Sequence, residues 1–133
     1  MIKLRSFEKA DISEVEEFWK KEYRVSKRDD QDRMSIFLDK NPGLSTLAIE
    51  DGSIVGTTLG SCDGRKGYIQ KVAVSNSLRG KGIGKMLAVE TVKKLKEAGA
   101  LDIRVGCGAE LTPFYEKCGF KVETIVPMKI KNY

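Results

Sequence analysis

The chain has 133 residues, of which 41% are hydrophobic and 32% are charged. This length suits one domain, residues 1–133, which buries enough surface to fold without disulfides or metals. No apolar run approaches the roughly 20 residues that span a bilayer, and the N-terminus lacks a signal-peptide core, so we expect a cytoplasmic protein without a membrane partner. The net charge of +5 suits a polyanionic ligand, but a solvated, lysine-rich surface explains it equally well.

The chain contains three cysteines and no histidine. The odd number of cysteines and the lack of a CxxC pair predict reduced, buried thiols at Cys62, Cys107 and Cys118. The lack of histidine excludes Ser-His and Cys-His nucleophile pairs and mixed Cys/His zinc sites. We therefore expect no metal, and chemistry performed by carboxylates, Tyr, Lys, thiols or backbone groups. Acidic residues are interspersed with the basic ones, and no RNA-stacking motif or zinc finger is present, so no nucleic acid partner is expected.

The first forty residues predict one strand and two helices. A short strand is expected at residues 2–6. A helix follows at about residues 11–23, where Asp11 and Glu14 have the spacing of a D-x-x-E capping box. Its inward face carries Ile12, Val15, Phe18 and Trp19. A second helix is expected at about residues 29–39, and its acidic start suits a solvated helix terminus or a site that attracts a cationic amine.

Three extended segments follow, at residues 45–50, 54–62 and 67–74. Asp51-Gly52 separates the first two and is a strong two-residue hairpin signal. Asp63-Gly64 marks the second turn. Adjacent hairpins of this kind predict an antiparallel meander.

The clearest helix spans about residues 82–98. It has one small and apolar face, formed by Gly84, Leu87, Ala88, Thr91, Val92, Leu95 and Ala98. A strand at residues 101–105 follows, and we expect the strands that flank this helix to be parallel. Thr112-Pro113 then begins a short helix, and residues 120–129 are predicted to form a final strand, at an edge because of Pro127. The element order predicts an α+β fold, with a mixed, mostly antiparallel sheet flanked by about four helices.

The stretch from Val72 to Lys85 combines a strand end, a glycine-rich loop and the start of the long helix. It reads Val72-Ala73-Val74-Ser75-Asn76-Ser77-Leu78-Arg79-Gly80-Lys81-Gly82-Ile83-Gly84-Lys85. Glycines allow close backbone approach, and a helix N-terminus offers unpaired N–H groups to an anion. The P-loop pattern fails, since Met86 follows Lys85 where Ser or Thr is needed, and the dinucleotide pattern fails as well. A pyrophosphate of another nucleotide is left as the ligand.

At these residues the sequence resembles the GNAT superfamily of N-acetyltransferases. Residues 79–84 match the family signature [QR]-x-x-G-x-[GA] after an apolar-Ala-Val strand, and residues 115–120 match its Y-x-K-x-G-F segment. The resemblance covers nearly the whole chain. It implies acetyl transfer from acetyl-CoA to a primary amine by direct attack within a ternary complex. The alternative is a non-catalytic acyl-CoA-binding sensor or interaction module.

The resemblance also implies roles for individual residues. Val72, Ala73 and Val74 would pair with the pantetheine arm, with the Val72 N–H near the thioester oxygen. Arg79 to Lys85 would cradle the pyrophosphate. Tyr115 would protonate the leaving thiolate, although a half-buried packing role is the alternative. Gly108 stands where many relatives carry a cofactor-binding Asn.

The resemblance leaves the general base, the acceptor and the oligomeric state open. Residues 68–71, where many relatives carry a glutamate, contain no carboxylate. Glu50, Asp63 and Glu110 are possible substitutes, as is a chain of waters. Trp19 and Tyr23 are interpreted as core residues or as the rim of an acceptor pocket. The acceptor is a small-molecule or protein amine, and the protein is a monomer or a homodimer.

Overall fold

The computed structural model describes residues 1–132 and contains a five-stranded sheet of order β1-β2-β3-β4-β5. The strands are β1 (Lys3–Ser6), β2 (Thr46–Glu50), β3 (Ser53–Cys62), β4 (Lys66–Val74) and β5 (Asp102–Val105). Strands β1 to β4 pair antiparallel, and β5 pairs parallel to β4. The predicted α+β fold, with a mixed and mostly antiparallel sheet, is confirmed.

The described residues form four α-helices, and the first three pack against the two faces of the sheet. They are α1 (Ile12–Glu22), α2 (Gln31–Lys40), α3 (Ile83–Glu97) and α4 (Thr112–Lys117). Successive residues of a strand point to opposite faces, and two buried clusters show this division. Leu47 packs with α1 and α2, whereas Ala48 packs with Ile83 and Leu87 of α3. None of the described helices is long and apolar enough to cross a membrane.

The predicted hairpin between β2 and β3 is confirmed. Asp51 and Gly52 have φ angles of 51° and 80°, as a two-residue turn with both central residues at positive φ requires. The turn after β3 is held by the carboxylate of Asp63, which accepts hydrogen bonds from the N–H groups of Arg65 and Lys66, both at 2.8 Å. Together the two turns form the expected meander.

The predicted capping box of Asp11 and Glu14 is wrong. A single 3₁₀ turn, Lys9–Asp11, precedes α1. The Asp11 carboxylate accepts a hydrogen bond from the Glu8 N–H at 2.9 Å and pairs with Arg5 at 2.8 Å. Glu14 instead accepts a hydrogen bond from the N–H of Ile54 at 3.3 Å. Helix α1 does begin after Asp11, but Asp11 is the last residue of the 3₁₀ turn and has helical backbone angles. Its carboxylate therefore turns back to Glu8 and Arg5 and does not cap α1.

The predicted final strand is also wrong. Residues 120–130 form no strand, and their apolar side chains are 66–91% exposed at Val122, Ile125, Val126, Met128 and Ile130. A strand needs a partner for its backbone hydrogen bonds, whatever the propensity of its residues. Among the described residues, β5 pairs only with β4, over four residues.

The prediction of buried cysteines is wrong for Cys107, which is exposed, whereas Cys62 and Cys118 are partly buried. Cys107 follows β5 in the Gly106-Cys107-Gly108 segment, where the chain leaves the sheet and all three residues are exposed. All three thiols are free.

Candidate active site

The glycine-rich loop lies between the end of β4 and the N-terminus of α3. Gly80 and Gly82 have φ angles of 81° and 84°, and a Cβ at either position would meet no atom within 4 Å. The positive φ angles explain why glycine occupies both positions, and the empty space above them allows a ligand to approach the backbone. The side chains of Arg79, Lys81 and Lys85 are exposed around this space.

This loop has the features of an anion site. Helix α3 spans 15 residues and begins directly after Gly82, its N-cap, so its first N–H groups and the positive end of its dipole face the loop. No ion pair with a described residue engages Arg79, Lys81 or Lys85. The turn before the loop is anchored by Glu22, whose carboxylate accepts a hydrogen bond from the Asn76 N–H at 2.9 Å. The arrangement suits a pyrophosphate group.

Strands β4 and β5 diverge next to the loop. Their pairing ends at Ile69 and Val105, whereas β4 continues to Val74. From Gln70 to Val74, one edge of the β4 backbone therefore has no described residue of β5 paired with it. Such an edge can hydrogen-bond an extended ligand as an added strand would.

A β-bulge interrupts β4 in this same segment. Thr57 pairs with Ala73 and Leu59 pairs with Gln70, so Lys71 and Val72 together face a single residue of β3. Lys71 has a φ angle of 54°, which is uncommon for a residue with a side chain. Bulges of this kind bend the strand and redirect its groups, and here these include the N–H of Val72.

Tyr115 is a buried residue of α4. Its ring is 8% exposed and makes edge-to-face contacts with Phe114 at 4.9 Å and with Phe120 at 5.8 Å. Burial raises the pKa of Tyr115 to about 12, and Cys107, Tyr23 and Cys118 add to the shift. The phenol therefore stays protonated at neutral pH and is available as a proton donor.

Gly84 joins the loop to the helix of Tyr115. A Cβ on Gly84 would lie 3.1 Å from Cζ of Phe114, so the glycine allows α4 to pack on the first turn of α3. Phe114 then contacts the ring of Tyr115. The glycine signature and the tyrosine segment are thereby brought into one site.

The structure separates the three carboxylates considered as general bases. Glu50 is the last residue of β2, and its Oε2 lies 3.8 Å from the N-terminal amino group. Asp63 is hydrogen-bonded within the β3–β4 turn, at the end of β4 opposite to Val74. Only Glu110 lies beside the helix of Tyr115. Its carboxylate covers Gly108, where a Cβ would approach Glu110 Oε1 to 2.5 Å. Glu110 thus fills the space that a side chain at residue 108 would enter.

Sequence reasoning missed a buried ion pair between Asp29 and Lys71, whose side chains are 7% and 17% exposed. Of the two interpretations of the acidic helix start, solvation is wrong for Asp29, because a 3₁₀ turn (Lys27–Asp29) turns its carboxylate inward. The cation that it attracts is the ammonium of Lys71. The spacing Ser26-x-x-Asp29 matches a capping box, in which the carboxylate accepts a hydrogen bond from the Ser26 N–H at 2.9 Å. That spacing is the signal that sequence analysis could have used.

Comparison with known proteins places this geometry in a family. The Acetyltransferase (GNAT) family model matches residues 12–120, which include the glycine loop and Tyr115. The chain belongs to the GNAT acetyltransferase family. The predicted family is therefore confirmed. Among the described residues of this GNAT domain, no group of three or more His, Cys, Asp or Glu side chains is arranged to hold a metal ion.

Other proteins resemble the GNAT domain in sequence or in fold. Glucosamine 6-phosphate N-acetyltransferase 1 of Oryza sativa subsp. japonica is 38% identical over 65 residues, which are 49% of this chain and 39% of that protein. The match thus spans about two-fifths of that relative's length. The structure of glucosamine-6-phosphate N-acetyltransferase from Arabidopsis thaliana superposes with a TM-score of 0.73 at 22% identity and covers 99% of each chain. The PaiA N-acetyltransferase from Thermoplasma acidophilum, in complex with coenzyme A, gives 0.77 at 22% identity over 92% of this chain and 91% of that one.

Proposed function

We propose that this protein transfers an acetyl group from acetyl-CoA to a primary amine by direct attack within a ternary complex. The observation that carries the proposal is the convergence of three features: an open anion loop, a free strand edge and a buried, protonated tyrosine. The family membership agrees with it. Acetyl-CoA supplies an activated acyl thioester.

The residues present fit this co-substrate. Gly80 and Gly82 leave open space above the loop backbone, so residues 79–85 would hold the pyrophosphate through N–H groups and the three exposed cations. Gly84 contributes by packing against Phe114. Residues 72–74 would bind the pantetheine arm along the free edge of β4. The Val72 N–H, which lies within the bulge, would polarise the acyl carbonyl oxygen.

The chain's own groups account for the proton movements. Tyr115 would act as general acid and donate its phenolic proton to the departing sulfur. The amine must attack in its neutral form, so it loses a proton before or during the attack. Of the three candidate carboxylates we propose Glu110 as the acceptor of that proton, because it lies in the turn directly before the helix of Tyr115. Direct transfer needs no covalent acyl-enzyme.

We propose a small amine as the acceptor, of the kind named in the relatives that act on glucosamine 6-phosphate. A protein amine is the alternative. We expect the protein to act as a monomer or homodimer in the cytoplasm, without nucleic acid or membrane partners. The exposed free thiol of Cys107 supports a reducing compartment.

The experiment combines cofactor binding with acceptor-dependent release of CoA thiol. Acetyl-CoA should bind in a calorimeter, and a panel of amines led by glucosamine 6-phosphate should yield one acetylated product by mass spectrometry. We expect Gly82→Asp to lose at least about tenfold in acetyl-CoA affinity, because it places a negative charge at the helix N-terminus.

Gly82→Asn is the matched control for that variant. Asparagine has the same shape as aspartate and also tolerates positive φ, so it should bind acetyl-CoA more tightly than the aspartate variant. Equal binding by the two variants would refute the anion site. Tight binding without thiol release for any amine would identify a non-catalytic sensor.

A further inference from the structure

The ammonium group of Lys71 is enclosed by groups from α1 and the connection to α2. Its Nζ lies 2.8 Å from Asp29 Oδ2 and donates a hydrogen bond to the carbonyl oxygen of Arg24 at 3.0 Å. It also lies 5.0 Å from the ring centroids of both Trp19 and Tyr23. A desolvated cation gains from such aromatic faces as well as from the carboxylate. One side chain of β4 thus contacts the α1–α2 connection at three of its residues, Tyr23, Arg24 and Asp29.

The backbone of Lys71 is held by the same cluster. Its carbonyl accepts a hydrogen bond from Thr57 Oγ1 at 3.0 Å, and that hydroxyl accepts one from Trp19 Nε1 at 2.9 Å. Trp19 is therefore coupled to both ends of the lysine. A non-glycine residue at positive φ persists only when its surroundings hold it there, and these contacts do so.

Asp29 acts in this cluster as an ionised partner. Burial alone would raise the pKa of Asp29, but hydrogen bonds from Lys71 and Ser26 outweigh burial and hold that pKa below its usual value. The carboxylate is thus committed to Lys71 and is not a proton acceptor for an incoming amine. Its contribution to the reaction has to be geometric.

We propose that the Lys71–Asp29 pair is a positioning device for acetyl transfer, which holds the β4 bulge and the α1–α2 connection, residues 23–29, in one geometry. The inference rests on the proposed function, because it assigns the Val72 N–H to the thioester carbonyl. The conformation of Lys71 sets the direction of that N–H. The connection carries Tyr23, which lies close enough to Tyr115 to raise its pKa. One ion pair therefore fixes the positions of both the Val72 N–H and Tyr23.

The test separates acceptor use from cofactor binding. In Lys71→Met the aliphatic stem is kept and the ammonium is lost. We expect kcat/KM for the acceptor to fall about 100-fold, through both kcat and KM, as misplacement by about 1 Å can cause. The Kd for acetyl-CoA should rise by no more than about fivefold, because only the Val72 contact shifts and the pyrophosphate loop at residues 79–85 is untouched. Lys3→Met, which removes an exposed lysine from β1, should leave all these constants unchanged.

A second variant keeps the test decisive if Lys71→Met is unstable. Lys71→Met combined with Asp29→Leu leaves no unpaired buried charge and should recover folding. We expect this double variant to regain its melting temperature and still show the loss in acceptor kcat/KM. Recovery of stability together with wild-type kinetics would show that the pair serves folding only, and would overturn the inference. If the wild type transfers no acetyl group at all, the proposed function fails and this inference fails with it.

Discussion

At the scale of single residues, burial keeps Tyr115 protonated and also makes it a weaker acid than a phenol in water. A phenol in water has a pKa near 10, so ionisation would remove the donor at moderately alkaline pH. Burial raises the pKa of Tyr115 to about 12, and the proton is retained through the range in which an amine becomes neutral. The same burial places its ring between Phe114 and Phe120, which fixes its direction.

We expect Tyr115→Phe to lose roughly two orders of magnitude in kcat, since general acid catalysis is typically worth ~10²–10⁴ in rate. The ring and its edge contacts remain, so the fold and the acetyl-CoA affinity should be unchanged. Steady-state kinetics with an identified acceptor measures the effect.

The pH profile of the wild type offers an independent check on Tyr115. Its rate should show no fall that is assignable to tyrosine ionisation below about pH 10.5, because the pKa of Tyr115 lies above that range. An unchanged kcat in Tyr115→Phe would restrict this residue to packing, and a change in KM alone would make it a substrate-positioning residue.

At the scale of elements, close backbone contacts decide which residues the strands tolerate. Gly60 lies in β3, under the loop that leads into β2. A Cβ at this position would be 2.2 Å from the carbonyl oxygen of Leu44 and 2.9 Å from Cγ2 of Thr91. Its N–H donates a hydrogen bond to Ser45 Oγ at 3.0 Å. The glycine therefore lets the loop lie directly on the strand.

Gly60→Ala should lower the free energy of unfolding by about 2–3 kcal/mol, because a backbone carbonyl cannot move away as a flexible side chain can. Urea denaturation measures the change. Gly106→Ala is the control, since a Cβ there would meet no atom within 4 Å, and its stability should stay within about 0.5 kcal/mol of the wild type. Equal effects of the two substitutions would contradict the described packing at Gly60.

At the scale of the whole molecule, two apolar layers on opposite faces of the sheet hold the described fold together. The Lys71–Asp29 pair belongs to the layer of α1 and α2, because its ammonium contacts the fully buried Trp19. A pair at this depth affects global stability when one partner is lost, since the other charge is left without compensation.

Asp29→Asn should therefore lower the free energy of unfolding by about 3 kcal/mol at pH 7. The folded-state pKa of Asp29 is lowered, so its contribution is complete above the unfolded-state pKa near 3.9 and is lost as pH falls through the folded value. The difference in free energy of unfolding between the wild type and Asp29→Asn should therefore be smaller at pH 3 than at pH 7.

The control for this measurement is an exposed ion pair. Lys9 and Asp39 meet at 3.0 Å with side chains 53% and 61% exposed, so Asp39→Asn should change stability by no more than about 0.5 kcal/mol at pH 7. If Asp39→Asn lost as much free energy of unfolding as Asp29→Asn, burial would not explain a difference in strength between the two ion pairs. If the loss of stability in Asp29→Asn were the same at pH 7 and pH 3, it would contradict the lowered pKa of Asp29.

The sequence by itself determined the order of the helices and strands as far as α4, the meander and the position of the glycine loop. These features depend on local signals: apolar periodicity for α3, turn chemistry at Asp51-Gly52, and positive φ at Gly80 and Gly82. Each is decided by residues within a few positions along the chain, and local signals of this kind are readable without a fold.

Only the tertiary structure decided which distant groups meet. The pairing of Lys71 with Asp29, the contact of Phe114 with Gly84 and the cover of Glu110 over Gly108 leave little trace in composition or spacing. The segment at residues 120–130, which forms no strand, shows the same limit of sequence-based prediction. Strand propensity predicts extended backbone but cannot provide a neighbouring strand for it to pair with. Hydrogen bonds, ion pairs and burial depend on neighbours across the fold, and those neighbours exist only once the chain has packed.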